Sequence, residues 1–263
     1  MKKKKLLKAT ILIINYNNSN LVERCIKSVY NQTYKNKEII FIDDLSSDDS
    51  YKKAKKFKFL KVFKTKQKTK YGSINQINAC KLGILKSRGD IIFFLDSDDF
   101  FLKNKVKFVM DYYYKSDFNV CFDKPILFFN KKNKVNLKIN KRNKFLIPWP
   151  QFGPQSCIAI KKKYLLKIWK KIAINKFQDI WLDFRIINQA YIDFNKLIVI
   201  PKHLTMYQQN DKSISSGFKK YSKNWWSRRL SAHHFLNYLY KKNNKKFYLS
   251  LDAIITYFVN KII

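Results

Sequence analysis

The sequence predicts an α/β fold with a mostly parallel sheet, flanked by helices and followed by a helical C-terminal extension. Short, continuous apolar runs alternate with segments whose apolar residues recur at helical spacing. Continuous apolar runs are typical of strands that are buried on both faces. Strands that alternate with helices favour a parallel sheet covered by helices on both sides.

The first 110 residues contain four of these apolar runs. The first is Ala-Thr-Ile-Leu-Ile-Ile, and apolar residues at helical spacing follow it. Gly89 is expected to end the last helix of this half, because glycine suits a helix end. The predicted strands are 9–14, 38–42, 58–63 and 90–95, and the predicted helices are 21–30, 48–57 and 71–87.

The second half is less regular. Its predicted strands are short and surround a basic hairpin at Asn130 to Lys134, and a proline-containing loop follows at 140–154. The remaining predicted elements are strands within 119–139, 157–160 and 197–208, helices at 161–171 and 177–190, and helical structure beyond 218. We expect a domain at 1–217, with a nucleotide-binding half (1–110) and an acceptor half (111–217), and an extension at 218–263.

The chain is strongly basic. Its 263 residues include 55 Lys+Arg against 18 Asp+Glu, a formal charge of +37. Such a field favours anionic partners, namely nucleotides, nucleic acid or an anionic membrane face. A second interpretation stays open, because abundant Lys, Asn and Ile are also what an AT-rich genome would encode.

The cysteines and the apolar runs indicate the cellular setting. Four widely spaced cysteines, with no Cys-x-x-Cys pair, indicate neither a zinc site nor a disulfide framework. Lys8 interrupts the apolar start that imitates a signal peptide, and no apolar run approaches the 18 residues of a membrane span. These features favour a cytoplasmic protein with reduced, buried thiols.

The acidic cluster Asp96-Ser97-Asp98-Asp99 directly follows an apolar strand. Carboxylates gathered at a strand end repel one another, and a divalent cation would relieve that repulsion. Mg²⁺ or Mn²⁺ prefers oxygen ligands and binds through one or two carboxylates together with substrate phosphates. The alternative is a solvated turn in which Asp98 or Asp99 caps a helix that begins at Phe100.

A second acidic pair, Asp43-Asp44, also follows an apolar run. A carboxylate there can accept the imide N–H of uracil or cap the following turn, and the sequence does not decide between them. Because ligands bind beyond the carboxyl ends of parallel strands, we expect the loops 15–20, 43–49 and 96–99 to meet at one edge.

A third acidic pair lies among aromatic residues in the second half. Asp179 and Asp183 are four residues apart and are predicted to share one helical face. A carboxylate in an apolar pocket has a raised pKa and can act as a general base. The alternative is an amphipathic helix whose aspartates pair with Lys or Arg.

The order of these motifs resembles the family 2 glycosyltransferases, whose nucleotide-binding fold is called GT-A. Three blocks match in type, order and spacing, and they cover about the first 110 residues. They are Ile11 to Asn17, Ile26 to Asp44, and Gly89 to Asp99 with its Asp-x-Asp core.

The resemblance implies a role for each matching residue. Asp43 would contact uracil, with Asn15 and Tyr16 in the base pocket. Asp96 would lie near the ribose or the metal, and Asp98 would ligate Mg²⁺ or Mn²⁺. Asp179 would be the base that deprotonates the acceptor, although Gln178 stands where the family usually has an acid. Asp99 is expected to cap a helix rather than bind the metal.

We therefore expect an inverting glycosyltransferase that uses a nucleotide-sugar donor, with a glycan or lipid-linked acceptor. The expected setting is bacterial surface-glycan synthesis in the cytoplasm, with peripheral contact to an anionic membrane face through the apolar C-terminal stripe. Three alternatives remain: a nucleotidyltransferase, a basic nucleic-acid-binding protein supported by charge alone, and a non-catalytic glycan-binding relative. The sequence does not identify the sugar or the oligomeric state.

Overall fold

Parallel pairing of four N-terminal strands builds one half of the sheet. The computed structural model describes residues 6–129, 133–136, 143, 145–193, 197–209, 219–246 and 249–263. Within these residues the sheet has nine strands in the order β3-β2-β1-β4-β8-β6-β9-β5, and β7 pairs with β6. The strands are β1 (Ala9–Asn15), β2 (Lys37–Asp43), β3 (Lys61–Lys64), β4 (Ile91–Asp96), β5 (Phe100–Phe101), β6 (Val120–Phe129), β7 (Asn133–Asn136), β8 (Ile158–Lys161) and β9 (Leu197–Gln209).

Helices cover both faces of this sheet. They are α1 (Val22–Tyr30), α2 (Ser50–Lys55), α3 (Gly72–Lys86), α4 (Lys105–Ser116), α5 (Lys162–Ile172), α6 (Leu182–Ile192), α7 (Lys223–Lys242) and α8 (Leu251–Ile262). The predicted α/β fold with C-terminal helices is confirmed. The sheet was expected to be mostly parallel, but among the described strands four pairs are parallel and four are antiparallel. In the described part of the chain, no helix combines the length and the apolar content needed to cross a bilayer.

Alternate residues of β1 divide the core into two layers. Leu12 and Ile14 point to the side of α3, α5, α6 and α7. Ile11 and Ile13 point to the side of α1, α2 and α4. Because successive strand residues face opposite sides, a continuous apolar run is what a strand covered on both faces requires.

A buried ion pair joins α4 to the second half of the sheet. The Nζ of Lys105 lies 2.8 Å from Oδ1 of Asp123 on β6, and neither side chain reaches solvent. Lys105 also donates to the carbonyl oxygen of Ser156 at 2.6 Å, while Thr205 of β9 donates to Asp123 at 2.7 Å. Burial raises the pKa of Asp123, and these contacts oppose that effect.

Gly89 does not end a helix, which corrects the sequence prediction. Helix α3 ends at Lys86, the following residue Ser87 has an extended backbone, and no glycine of the described residues has a positive φ. A Cβ at Gly89 would lie 2.4 Å from Oγ1 of Thr10 and 2.6 Å from its backbone nitrogen. Close approach to β1 is therefore the reason for glycine at this position.

The two C-terminal helices form a further layer on the side of the sheet that carries α6. Helix α7 packs on α5 and α6, and α8 packs on α7. The predicted boundary between 217 and 218 lies outside the described residues, as does most of the predicted hairpin at Asn130 to Lys134. The division into domains stays a prediction.

Candidate active site

The three polar loops meet at one edge of the sheet, as predicted. In the parallel register, Asn15 at the end of β1 lies opposite Asp43 at the end of β2. On the other side of β1, Ile14 lies opposite Asp96 at the end of β4. Topology alone therefore brings an amide and two carboxylates together, and the neighbouring loops frame them.

A hydrogen-bond network fixes the Asn15 side of this edge. Nδ2 of Asn15 lies 2.8 Å from Oδ1 of Asp43, 3.0 Å from Oγ of Ser46 and 2.8 Å from Oγ of Ser50. Oδ2 of Asp43 accepts the backbone N–H of Ser46 at 3.0 Å. Asp43 is completely buried and orders the turn that follows β2. Its contact with a base stays a prediction.

Tyr16 lies at the open side of the same network. Its side chain is half exposed, and Nζ of Lys68 stands 3.1 Å from the centre of its ring. Lys68 belongs to the segment that leads into α3. A flat ligand that stacks on Tyr16 would have to share this ring with the ammonium group or displace it.

Asp99 binds strand β9 and the turn that contains Ser156 and does not cap a helix, which corrects the sequence prediction. Its Oδ1 accepts the backbone N–H of Gln208 on β9 at 2.8 Å, and its Oδ2 accepts Oγ–H of Ser156 at 2.5 Å. Phe100–Phe101 is a strand, and α4 begins only at Lys105. With both oxygens of Asp99 occupied, Asp96 and Asp98 remain for a ligand.

The carboxylates of Asp96 and Asp98 have the chemistry of a divalent-cation site. Desolvation, followed by the charges of Asp98 and Asp183, raises the pKa of Asp96 well above its usual range. Desolvation also raises the pKa of Asp98. Two oxygen-donor groups under such repulsion fit Mg²⁺ or Mn²⁺ completed by substrate phosphates. Among the described side chains, no three His, Cys, Asp or Glu form a ready-made metal cluster.

Two glutamine amides flank Asp96. Nε2 of Gln155 donates to Oδ1 of Asp96 at 2.9 Å, and Gln76 of α3 also donates to this carboxylate. The carbonyl oxygens of both amides are buried without a hydrogen-bond partner among the described residues. Since a carboxylate requires donors, the amide orientation is fixed and each carbonyl faces away from Asp96 as an acceptor.

Arg185 organises the loop that carries the predicted base. The side chain of Arg185 is fully buried. Its guanidinium donates to five carbonyl oxygens, all of which belong to the backbone. The accepting residues are Ile172 (2.7 Å), Ile174 (2.8 Å), Lys176 (3.2 Å), Phe177 (2.7 Å) and Ile180 (2.8 Å). Burial lowers the pKa of Arg185 to about 10, against a small opposing effect of Tyr238.

The position of Asp179 corrects two expectations. Helix α6 begins at Leu182, not at 177, because Phe177 has a positive φ of 66° and Arg185 binds the preceding turn. Asp179 therefore does not share a helical face with Asp183. Asp179 is exposed, and the apolar surroundings expected for it belong to Asp183, whose pKa is raised by burial.

Three residues from separate elements converge on the Asp183 side of the site. Asp183 is close enough to Asp96 for its charge to raise the pKa of that carboxyl. Arg228 of α7 opposes the raised pKa of Asp183, and its charge also acts on Asp179. Burial, followed by the aspartates of the acidic cluster, raises the pKa of Tyr207 on β9. Arg228 thus brings a cation from the C-terminal helices to the site.

The sequence did not reveal several of these contacts. Arg24 of α1 donates to the carbonyl oxygen of Asp98 at 2.7 Å and to Oε1 of Gln208 at 3.0 Å. Gln155 and Ser156 reach the cluster from a 3₁₀ turn that follows the proline-containing loop. None of these residues carries a motif, and the position of Arg24 on the predicted helix 21–30 was its only signal.

Comparison with known proteins identifies relatives of the chain. The family model described as "Glycosyl transferase family 2" matches residues 10–177. A glucosyltransferase of Escherichia coli, named UDP-Glc:alpha-D-GlcNAc-diphosphoundecaprenol beta-1,3-glucosyltransferase, is 37% identical over 97 residues, which are 37% of this chain and 38% of that protein. The chain spans only 16% to 38% of the length of the first curated relatives it matches.

Two solved structures share the fold. TarS of S. aureus, residues 1–349 in complex with UDP, has a TM-score of 0.62 at 13% identity, with coverage of 87% of this chain and 65% of that one. A mannosyltransferase of Pyrobaculum calidifontis, in complex with GDP-Man and Mn²⁺, has a TM-score of 0.56 at 13% identity. The match covers 97% of this chain and 70% of that one.

Proposed function

Because the chain belongs to glycosyl transferase family 2 and has the GT-A fold, we propose that it transfers a sugar from a nucleotide-sugar donor to a hydroxyl acceptor. The observation that carries this proposal is the different use of three aspartate side chains at the end of β4. Asp99 is fully used by internal hydrogen bonds, whereas Asp96 and Asp98 keep part of their surface open to solvent.

The donor half of the proposal rests on the edge formed by β1, β2 and β4. A uridine diphosphate sugar would place its base near Tyr16, Asn15 and Asp43, and its diphosphate beside Asp96 and Asp98. TarS is described in complex with UDP and with UDP-GlcNAc, which supports a UDP-linked donor. Base selection by Asp43 requires the turn after β2 to admit the base, because this carboxylate is buried.

Mg²⁺ or Mn²⁺ is the cofactor we propose for this site. Asp98, and with it Asp96, would hold the cation. A divalent cation bound there would neutralise the charge that develops on the diphosphate leaving group. The structurally similar mannosyltransferase is described with Mn²⁺ and GDP-Man, which supports the same chemical class of cofactor.

The transfer itself is proposed as a single displacement with inversion. The hydroxyl oxygen of the acceptor attacks the anomeric carbon, and its proton passes to the carboxylate of Asp179. The bond between the anomeric carbon and the diphosphate oxygen breaks, and the nucleoside diphosphate leaves with the electron pair. The hydrogen bonds from Arg185 to the 172–180 segment fix the turn that carries Asp179, which supports a defined position for this carboxylate.

The acceptor in this proposal is a glycan or a lipid-linked sugar. The Escherichia coli relative is named for an acceptor sugar on diphosphoundecaprenol, which supports a lipid-linked acceptor in bacterial surface-glycan synthesis. A place in the cytoplasm, peripheral to the inner membrane face, is part of the same proposal. So is the division into a transferase domain at 1–217 and an extension at 218–263.

A donor screen with Mn²⁺ or Mg²⁺, monitored by release of nucleoside diphosphate, tests the function. We expect turnover with a UDP-sugar, and loss of turnover in both Asp98→Ala and Asp179→Ala. Asp98→Ala should also lose metal-dependent donor binding, whereas Asp179→Ala should keep it. Full activity in Asp98→Ala would contradict the metal assignment.

The same screen separates the alternatives. Release of inorganic diphosphate would indicate a nucleotidyltransferase. Donor binding without turnover would indicate a non-catalytic glycan-binding relative. Salt-dependent oligonucleotide binding with no donor hydrolysis would indicate a nucleic-acid-binding protein. Asp183→Asn tests the position of the base, because loss of proton transfer there but not in Asp179→Ala would move the role to Asp183.

A further inference from the structure

Helix α8 exposes its large apolar side chains and buries its small ones. Ala253 and Thr256 are fully buried on the side that packs on α7, whereas five large apolar residues of the helix are 44% to 69% exposed. A surface helix ordinarily places its large apolar residues against the core. We call the exposed side the α8 apolar face; it consists of Leu251, Ile254, Ile255, Phe258 and Ile262.

A neighbouring loop extends the α8 apolar face beyond the start of the helix. The carbonyl oxygen of Phe145 accepts the N–H of Leu251 at 3.0 Å, and that of Leu146 accepts the N–H of Asp252 at 3.1 Å. These bonds satisfy donors that a helix N-terminus leaves open. They also fix Phe145, which is 83% exposed, and Leu146 beside the apolar face.

The segment that carries the α8 apolar face is basic: Lys261 is exposed on α8 itself, and Nζ of Lys223 donates to the carbonyl oxygen of Ile263 at 2.7 Å. Residues 218–263 contain ten Lys or Arg and a single acidic residue, Asp252. The carboxylate of Asp252 is turned inward, where it accepts hydrogen bonds from Arg229 at 2.8 Å and lies 2.8 Å from Nε2 of His233. Large exposed apolar groups thus stand within a segment whose net charge is strongly positive.

We propose that the α8 apolar face docks on the surface of an anionic lipid bilayer. At about 1.5 Å per residue the 12-residue helix is about 18 Å long, too short to cross a hydrocarbon core of about 30 Å. An amphipathic helix with apolar residues on one side and lysines around them lies in the interface plane. Lysines near an anionic surface add electrostatic attraction to this apolar contact.

A second copy of the chain fits this face less well. Two copies that met through α8 would bring two segments of like charge together, each with ten basic residues and one acidic residue. Such repulsion opposes association, whereas anionic headgroups neutralise the same charges. Docking rests on the peripheral membrane placement within the proposed function and assigns it to α8 and the 145–146 loop; its test is independent of transferase activity.

Vesicle sedimentation without any sugar donor tests the proposal. Wild-type protein is expected to sediment with vesicles that contain phosphatidylglycerol and to stay in solution with pure phosphatidylcholine. The double variant Ile254→Gln/Phe258→Gln keeps the charge of the chain and changes only two exposed side chains. We expect it to partition to anionic vesicles at least tenfold less well than the wild type.

Leu85→Gln is the matched control. Leu85 is 67% exposed on α3, so its substitution removes a comparable apolar group elsewhere, and partitioning should be unchanged. Equal binding of wild type and the double variant would reduce the interaction to charge alone and overturn the proposal, as would failure of the wild type to bind. A concentration-dependent dimer in ultracentrifugation that the double variant loses would instead assign the face to a second copy.

Discussion

Nη2 of Arg185 donates a hydrogen bond of 2.7 Å to the carbonyl oxygen of Phe177, the residue of positive φ at which the Asp179 turn begins. Arg185 lies near the start of α6, and its side chain extends back to the segment that precedes this helix. One buried cation therefore holds a backbone conformation that local preferences oppose. The position of Asp179 depends on this bond and on the four parallel ones.

Arg185→Ala should unfold the turn and weaken the whole chain. The five carbonyls lose their donor, and a buried acceptor without a partner costs about 1–3 kcal/mol, so we expect a loss of at least about 3 kcal/mol in the free energy of unfolding. Arg185→Lys should restore only part of it, because an ammonium group lacks the planar fork. Urea unfolding measures both variants.

Lys176→Ala is the control for Arg185. Its side chain is exposed in the same turn, while its backbone carbonyl remains available to Arg185. We expect stability within about 0.5 kcal/mol of the wild type. A comparable loss in Lys176→Ala would show that the turn is sensitive to any substitution, and the role given to Arg185 would fail.

Gly89→Ala and Gly83→Ala should differ in cost. At Gly89 the new Cβ would meet the backbone of Thr10, which cannot turn away, so we expect a loss of about 2–3 kcal/mol. At Gly83 the new Cβ would meet the methyl ends of Leu12, and the helix gains about 1 kcal/mol from alanine. Thermal unfolding should rank Gly89→Ala clearly below Gly83→Ala; the reverse order would contradict the backbone contact.

Adjacent arginines of α7 should have separable roles. Arg228→Ala removes a cation that acts on Asp183 and Asp179, and we expect turnover to fall on the order of 10-fold to 100-fold with little change in folding. Arg229→Ala removes the donors to Asp252 and should loosen α8. Limited proteolysis and donor turnover, measured on both variants, would refute this division if each variant lost both properties.

Acid should weaken the attachment of α8. Burial alone would raise the pKa of Asp252, but contacts from His233 and Arg229 outweigh it and lower the pKa. Because the folded pKa lies below the unfolded value of about 3.9, this carboxylate stabilises the fold above about pH 4. Its contribution is lost as the pH falls through the lower, folded pKa.

Comparison of wild type with Asp252→Asn checks the pH dependence. Above pH 5 the variant should be less stable by about 2 kcal/mol, the magnitude of hydrogen bonds to a charged group. The gap should shrink as the pH falls below about 4 and should close only below the folded pKa of Asp252. Asp111→Asn, an exposed carboxylate paired with Lys107, should show almost no gap at any pH. A gap for Asp252→Asn that has already closed above pH 4 would contradict the lowered pKa.

The parallel half of the fold was predictable from sequence because its strands are covered on both sides. Every residue of β1 is buried, so its apolar run is continuous and its length is well marked. Strand β9 mixes buried, half-buried and exposed residues, so its sequence has no clear apolar pattern. Its antiparallel and parallel pairings could therefore not be predicted from apolar periodicity.

The site was predictable only where a strand end determines it. Asn15, Asp43 and Asp96 follow apolar runs, and the parallel register of the strands brings these three residues to the same edge of the sheet. The contacts of Asp99 with Ser156 and Gln208 join residues 57 and 109 positions apart, and no local pattern records them. The helix predicted at 177–190 began too early, because apolar periodicity carries no information about the hydrogen bonds from Arg185 to the preceding backbone.

The four cysteines divide evenly between the two sides of the sheet. Cys25 and Cys121 lie in the layer with α1 and α4, and Cys80 and Cys157 lie in the layer with α3 and α6. All four thiols are buried and unpaired, and burial raises their pKa values. A thiol reagent can therefore mark each layer only after that layer has opened. The order in which the four sites become modified would time how the two halves of the hydrophobic interior come apart.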